Sequence, residues 1–246
     1  MTGCTLTAPR SAMIYKTLAH YYDALVHDDE ATRAWVDWVE GFHPGKKFLE
    51  LACGSGEITC LLAQNHQVTA MDLSADMVAE AAKKDLNLEI EFRTGDMRNL
   101  ENYGRYDAIG CFCDSFNYLL TDEDVRSFFK QVHDHLVPSG LFFFDTHSMD
   151  RLEEFASDYT EAGNFEDGTQ IQWNIASEDD IIYQDFAFYF PDHTIQEHHM
   201  QRVYDPTWLM ETLDTWFDIL SVRTDWDQEG IAEGEKYFFV CRRKED

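Results

Sequence analysis

The chain has 246 residues, of which 44% are hydrophobic and 14% aromatic, a composition typical of a packed globule and not of a disordered chain. Its 19 basic and 47 acidic residues give a formal net charge of −28 at pH 7, which disfavours nucleic acid and anionic membranes as partners. A cationic or neutral small molecule is a more compatible substrate, although an acidic surface can also serve solubility alone.

Targeting signals are not apparent in the sequence. No apolar run approaches the roughly 20 residues of a membrane-spanning helix, and the N-terminus lacks the charged-then-apolar pattern of a signal peptide. The six cysteines include no Cys-x-x-Cys pair, so reduced thiols in a cytoplasmic protein are the simplest interpretation. Residues 1–12 are polar and unpatterned, and we leave them outside the predicted domain.

Apolar residues at helical spacing predict two N-terminal helices, one within Tyr15–Leu25 and one within Ala34–Val39. Strands and helices then alternate, which predicts a parallel sheet with right-handed crossovers. The predicted strands span 47–51, 67–71, 89–93, 105–111 and 140–146, and the predicted helices span 56–64, 75–84 and 122–136. In such a sheet ligands bind outside the carboxyl ends of the strands, where Glu50, Asp72 and Asp96 fall.

The first predicted strand ends near Glu50 and leads through a glycine-containing turn into a helix. Gly54 lets a ligand approach the backbone closely, and the helix start offers free N–H groups to an anionic group. About twenty residues further on, the second strand ends in Asp72, where an acid binds ribose hydroxyls in dinucleotide-type folds. No third glycine follows Gly56 three residues on, so the pattern predicts a nucleoside ligand without a pyrophosphate.

Four segments, in order, resemble the motifs of the class I S-adenosylmethionine-dependent methyltransferases. Residues 49–56 resemble the first motif, 71–77 the second, 92–97 the third and 106–109 the start of the fourth. Ala52 stands where the family usually has its first glycine, a departure that many small-molecule members share. The resemblance covers most of the chain from Tyr15 to the fifth strand, plus the last strand. It implies S-adenosylmethionine as the cofactor and S-adenosylhomocysteine as its product.

The resemblance also implies roles for individual residues around the cofactor. Asp72 would bind the ribose, and Asp96 would accept a hydrogen bond from the adenine amino group with Met97 beside it. Gly54 would admit the methionine moiety, while Glu50 would position its amino end or order the turn. The other residues expected at the cofactor are Tyr22, Ala52, Leu73, Met77 and Cys111.

Three residues are candidates for the acceptor side of the reaction. Asn117 follows the fourth strand, a position that in the family adjoins the transferable methyl group, and it either orients a nucleophile or caps a turn. The Asn/Asp-Pro-Pro-aromatic motif of DNA methyltransferases is absent there. An amine acceptor would need only to be neutral and oriented, whereas a hydroxyl would need a base, for which His147 and Tyr15 are the candidates. The alternative for His147 is a neutral, hydrogen-bonded histidine.

After residue 158 the sequence changes from helical spacing of apolar residues to an alternation of residue types with a period of two. It predicts an antiparallel hairpin or three-stranded sheet, inserted as a lid over the site or as a dimer surface. The alternating segments are 171–175, 186–190 and 195–204. His198 and His199 point to opposite faces of a strand and cannot bind one ion together, so we predict no metal site. The remaining predicted elements are a helix from Asp205-Pro206 to about Leu213 and closing strands at 217–224 and 236–243.

Together these features predict an α/β fold with a Rossmann-like, mostly parallel seven-stranded sheet flanked by helices and an inserted antiparallel β-sheet. The cofactor-binding domain would span 13–158 and 205–246, and the insert 159–204. The predicted activity is methyl transfer from S-adenosylmethionine to N or O of a small-molecule acceptor, by a monomer or homodimer. Two alternatives remain: a cofactor-binding regulatory protein without turnover, and an aminopropyl transferase similar to the polyamine synthases.

Overall fold

The computed structural model describes residues 16–85 and 87–245 of the chain. Helices and strands alternate in its first half. The elements are α1 (Leu18–Val26), α2 (Asp29–Glu40), β1 (Lys47–Leu51), α3 (Glu57–Leu62), β2 (Gln67–Asp72), α4 (Ala75–Lys83), β3 (Glu91–Thr94), β4 (Tyr106–Cys111), α5 (Asp122–His135) and β5 (Leu136–His147). A short 3-10 helix (Ser115–Tyr118) follows β4.

The second half is mostly antiparallel β-structure. It contains α6 (Asp150–Glu154), β6 (Tyr159–Asn164), β7 (Gln170–Glu178), β8 (Ile181–Tyr189), β9 (Thr194–Arg202), α7 (Pro206–Leu213), β10 (Phe217–Thr224), β11 (Gln228–Glu229) and β12 (Lys236–Arg243). Strands β6 to β9 form a sheet of their own, and β10 to β12 return to the sheet of the first half.

The main sheet has the strand order β11-β10-β12-β5-β4-β1-β2-β3. Strands β1 to β5 are parallel, whereas β12 pairs antiparallel with both β5 and β10. The predicted α/β fold with a mostly parallel sheet is therefore confirmed, and the two-residue strand β11 adds an eighth strand at its edge. The parallel strands all end at the same edge of the sheet, which is where ligands bind in this architecture.

The apolar core is built on β5, which lies between β4 and β12. Phe142, Phe143 and Phe144 are fully buried because elements pack on both faces of the sheet. Phe144 packs against Phe129 of α5 on one face, and Phe143 packs against Trp38 of α2 on the other. Burial of each such side chain contributes about 1.5–3 kcal/mol, so this strand fixes the sheet against both helical layers.

The inserted sheet has four antiparallel strands in the order β6-β7-β8-β9, so the prediction of a hairpin or three strands was wrong by one strand. The missed strand is β6, Tyr159–Asn164. All six of its residues are exposed, because it lies at the edge of the sheet and pairs only with β7. Its sequence therefore has no apolar alternation from which a strand could be predicted.

Element boundaries differ from the prediction where a local side chain decides them. Helix α2 begins at Asp29 because the Asp28 carboxylate accepts hydrogen bonds from Glu30 N and Ala31 N and so caps the helix. Strand β5 begins at Leu136, ahead of the predicted start at residue 140, and it contains an irregularity at Ser139, whose φ is 61°. None of the helices within 16–85 and 87–245 combines the length and apolar character needed to cross a membrane.

Candidate active site

The turn between β1 and α3 leaves open space beside its backbone. Ala52 and Gly54 have φ angles of 54° and 53°, in the left-handed region that glycine favours. A Cβ added to Gly54 would meet no atom within 4 Å, whereas one added to Gly56 would lie 2.8 Å from the Ala81 Cβ of α4. Gly56 is therefore required for helix packing, and Gly54 provides the space that a ligand could enter.

Asp72, the last residue of β2, anchors this turn. Its carboxylate accepts hydrogen bonds from Gly54 N at 2.9 Å and from Ser74 N at 2.8 Å. The side chain is 8% exposed, and burial raises its pKa against the opposing effect of these N–H groups. The end of β2 is thus hydrogen-bonded directly to the glycine turn that follows β1.

Glu50 lies near the end of β1, just before this turn, and is 2% exposed. Burial, and to a lesser extent the nearby Asp72 charge, raises the pKa of Glu50 to about 8. Its Oε2 atom has no hydrogen-bond partner within the described part of the chain. A buried acid of this kind fits a ligand with a cationic group, because such a group would both ionise it and satisfy the unpaired oxygen.

Asp96 and Met97 follow β3, the next strand of the sheet. The Asp96 carboxylate accepts from Arg98 through its backbone N at 2.9 Å and its Nη2 at 2.7 Å. Burial would raise the pKa of Asp96, but these bonds outweigh it and lower the pKa. Met97 is partly buried and packs against the core. A ligand amino group would therefore share an ionised Asp96 with Arg98, a partner that the sequence reasoning did not identify.

The other expected cofactor residues differ widely in exposure. Leu73 is 46% exposed beside Asp72, whereas Met77 is buried and donates its backbone N to Ser74 Oγ at the start of α4. Cys111, at the end of β4, is fully buried, and burial raises the pKa of its thiol. Tyr22 lies on α1, where burial and the neighbouring Cys113 and Asp114 raise its pKa. The predicted base Tyr15 lies outside the described residues.

A charged cluster lies at the ends of the next strands along the sheet edge. Lys236 Nζ, from β12, lies 2.5 Å from Asp114 Oδ1 and 3.1 Å from Asp145 Oδ2. Asp145 Oδ2 also accepts from Asp114 N at 2.8 Å. Burial would raise the pKa of Asp114, but Lys236 and His147 outweigh it and lower the pKa to about 2. Burial raises the pKa of Asp145 to about 6 despite Lys236.

His147 is the last residue of β5 and belongs to this cluster. Its Nε2 lies 3.1 Å from Gln201 Oε1 and 3.6 Å from Asp114 Oδ2. Burial lowers the pKa of His147 despite the opposing Asp114 charge, so the imidazole is neutral at pH 7. Its Nδ1 is buried without a hydrogen-bond partner among residues 16–85 and 87–245.

Asn117 is fully buried beneath this cluster. Its amide nitrogen donates to Thr146 Oγ1 at 2.9 Å and to Arg202 O at 2.7 Å, and its oxygen accepts from His147 N at 3.1 Å. The amide thereby joins the 3-10 helix, β5 and β9. These bonds use both ends of the side chain, which favours positioning of His147 over direct contact with an acceptor.

The inserted sheet contributes a buried polar stripe that the sequence reasoning missed. Glu197, His199 and Gln201 on β9 are 5%, 2% and 1% exposed, whereas the intervening His198 and Met200 are exposed. The spacing of two places the three side chains on one face of the strand, toward the main sheet. Because their neighbours are also polar or flexible, the sequence alone gave no reason to choose this face over the other.

The same stripe holds the start of helix α1. Glu197 Oε1 accepts from Leu18 N at 3.1 Å and from Thr17 N, at the start of the helix. Tyr21 reaches the other side of the insert and donates to Asp167 Oδ2 at 2.8 Å. Helix α1 is therefore held against the insert at both Leu18 and Tyr21, and Tyr22 of the same helix lies close enough to Asp114 for that charge to raise its pKa.

Comparison with known proteins agrees with this geometry. A family model described as a methyltransferase domain matches residues 48–140. YqeM of Bacillus subtilis (strain 168), named as a methyltransferase, is 34% identical over 94% of this chain and 98% of its own length. A Geobacillus sp. (strain WCH70) protein, also named as a methyltransferase, is 30% identical over 94% of this chain and all of its own length.

A solved structure extends the similarity to the whole fold. The S-adenosylmethionine-dependent methyltransferase of Clostridium acetobutylicum ATCC 824 superposes with a TM-score of 0.79 at 25% identity, covering 93% of this chain and 98% of its own. Three observations point to the same family. They are the sequence similarity along the full length, the matched domain, and the acids that lie at the strand ends around the open turn. The chain belongs to the class I S-adenosylmethionine-dependent methyltransferases.

Proposed function

We propose that the protein transfers a methyl group from S-adenosylmethionine to N or O of a small-molecule acceptor. The observation that supports this proposal most is the adjacency of two sites at one sheet edge. The ends of β1, β2 and β3 carry the open turn and its acids, and the ends of β4 and β5 together with the start of β12 carry the cluster around His147. Helix α1 and β9 cover the second site.

The residues of the first site fit the cofactor group by group. Asp72 would hold the ribose hydroxyls, and Asp96 with Met97 would hold the adenine. The space beside Gly54 would admit the methionine moiety, whose cationic end would ionise Glu50. When bound, the cofactor supplies an electrophilic methyl group on its sulfonium sulfur. The task left to the protein is to orient the acceptor and exclude water, which can lower a barrier by about 7–11 kcal/mol.

The second site would receive the acceptor. We assign His147 as its base, because the imidazole is neutral at pH 7 and is fixed by hydrogen bonds at its backbone and at Nε2. Lys236 keeps Asp114 ionised and ordered beside it. We further propose that the insert acts as a lid that shields this site from solvent.

The acceptor that we propose is small and either neutral or cationic. Asp114, Asp145 and Lys236 carry two acids against one base, and the net charge of −28 repels phosphate backbones. We place the reaction in the cytoplasm, since the five described cysteines, Cys53, Cys60, Cys111, Cys113 and Cys241, are free thiols.

The experiment is a two-step screen of the full chain. Small amines and alcohols are first tested for an increase in melting temperature in the presence of S-adenosylhomocysteine. Compounds that bind are then incubated with S-adenosylmethionine, and methylated product is identified by mass spectrometry. Equimolar formation of product and S-adenosylhomocysteine supports the proposal. Cofactor binding without methylation of any compound that binds would favour the regulatory alternative.

A further inference from the structure

We infer that Gln201 is a positioning residue that fixes the tautomer of His147, so that the base of the acceptor site is the Nδ1 atom. This inference deepens the proposed function, because it names the atom that would take the acceptor's proton. It rests on a series of hydrogen bonds. In this series, the role of each group as donor or acceptor follows from the role of the group before it.

The series starts at Lys236. Its ammonium group contacts Asp114 Oδ1 at 2.5 Å, so Asp114 is an ionised carboxylate that can only accept hydrogen bonds. The Gln201 side chain lies 2.8 Å from the other oxygen, Asp114 Oδ2, and 3.1 Å from Asp114 O. Both contacts require a donor, so the amide nitrogen of Gln201 must face Asp114.

That orientation leaves the Gln201 oxygen facing the opposite way. Gln201 Oε1 accepts from Gln184 Nε2 at 2.6 Å and lies 3.1 Å from His147 Nε2. An amide oxygen cannot donate, so the proton of the neutral imidazole must be on Nε2. Asp114 Oδ2, 3.6 Å from the same nitrogen, also favours a proton there.

The remaining imidazole nitrogen then carries a lone pair. His147 Nδ1 is buried and has no hydrogen-bond partner in the described part of the chain. A ring flip would move Nε2 away from Gln201 Oε1, which lies 3.1 Å from it, so the ring cannot exchange its two nitrogens without breaking that hydrogen bond. The acceptor's proton would bind to Nδ1, and the resulting imidazolium would be stabilised at Nε2 by Gln201 and Asp114.

The direct test is long-range proton–nitrogen NMR on protein labelled with nitrogen-15 at histidine, at pH 7.5. The His147 signals are identified as those absent from the His147→Gln variant. We expect a pyrrole-type shift for Nε2 and a pyridine-type shift for Nδ1. A proton on Nδ1, or an imidazolium at this pH, would overturn the inference whatever the activity of the enzyme.

The role of Gln201 is tested with a matched pair of variants on the insert. Gln201→Met removes both amide contacts, and we expect His147 to become a mixture of tautomers. Gln184→Met removes only the second donor to Gln201 Oε1, and we expect the Nε2–H tautomer to persist. Circular dichroism checks that both variants fold. An unchanged tautomer in folded Gln201→Met would show that Gln201 does not fix it, and if that variant does not fold, the wild-type spectrum still decides the assignment of Nδ1.

Failure of the proposed function gives a different result. If His147→Gln methylates an identified acceptor as fast as the wild type, the base assignment fails even though the Nε2–H tautomer is observed. If methylation is lost in His147→Gln while the wild type shows the opposite tautomer, the proposed function stands and the inference about Nδ1 is wrong.

Discussion

The Gln201 side-chain nitrogen donates to Asp114 Oδ2 at 2.8 Å, and this bond joins the inserted sheet to the acceptor side of the main sheet. Asp114 follows β4 and has a φ of 51°, in the left-handed region, at the start of the 3-10 helix. The charged groups of the site are therefore ordered jointly by the two sheets, and changes in the insert should alter the chemistry of the site as well as its cover.

Lys236 should be important for stability because it lies between two carboxylates. Lys236→Met leaves Asp114 and fully buried Asp145 without their cation, and breaking such a pair costs about 3 kcal/mol. We expect urea unfolding at pH 8 to show a loss of this order. The loss should shrink toward pH 5, because protonation removes the uncompensated charge from Asp145.

The matched control for this prediction is the double variant Lys236→Met/Asp114→Asn. It removes one acid together with the base, and so it should recover part of the lost stability. Equal stability of Lys236→Met and wild type at pH 8 would show that the ion pair contributes little to the folded state.

Glu50 should make stability fall with rising pH. Its pKa is raised from 4.5 to about 8, so the folded protein binds this proton more tightly than the unfolded chain does. Between pH 4.5 and 8 unfolding therefore releases a proton, and the free energy of unfolding falls by up to about 1.4 kcal/mol per pH unit. Glu50→Gln lacks this dependence, so its stability relative to wild type should increase through that range and level off above it. Parallel pH curves for the two proteins would contradict the assignment.

His147 should control the acid side of the pH–rate profile. Its pKa is lowered from 6.5 by burial, with Asp114 opposing and Lys236 and Arg151 adding to the shift. We expect kcat/KM to be constant near pH 7 and to fall below pH 6.5 as the imidazole becomes protonated. With a hydroxyl acceptor, which needs a base, His147→Gln should lower the rate by about 10²–10⁴ and remove this acid limb.

Asp145 is the control for that profile, because its pKa of about 6 lies in the same range. Asp145→Asn should retain the acid limb if His147 produces it. Loss of the limb in Asp145→Asn, with its persistence in His147→Gln, would assign the titration to the aspartate instead.

The sequence predicted most of the fold because strand and helix periods are local properties. The buried strands β1, β2, β4 and β5 were recognisable as apolar runs in the sequence, and the acids Glu50 and Asp72 lie at the strand ends as expected. Strand β6 was missed because edge exposure removes the alternation on which strand prediction depends.

The acceptor site was less predictable because it is assembled from distant segments. Lys236 reaches Asp114 across 122 residues, and Gln201 reaches it across 87. Neither residue belongs to a local sequence motif. The periodicity of a strand shows which of its residues share a face, but not which residues of another sheet that face contacts. His147 was predicted from its position after a buried strand, but its partners required the three-dimensional arrangement.

The central claim is that the cofactor binds at the turn that Asp72 anchors, and calorimetric titration with S-adenosylhomocysteine tests it most directly. Asp72→Ala removes a charged acceptor, worth about 1.5–3 kcal/mol per hydrogen bond, so affinity should fall at least about tenfold. The variant should remain folded but less stable, since Gly54 N and Ser74 N lose their acceptor. Asp76→Ala, which removes an exposed carboxylate in the first turn of α4, should bind as the wild type does. Wild-type affinity in folded Asp72→Ala would contradict the account.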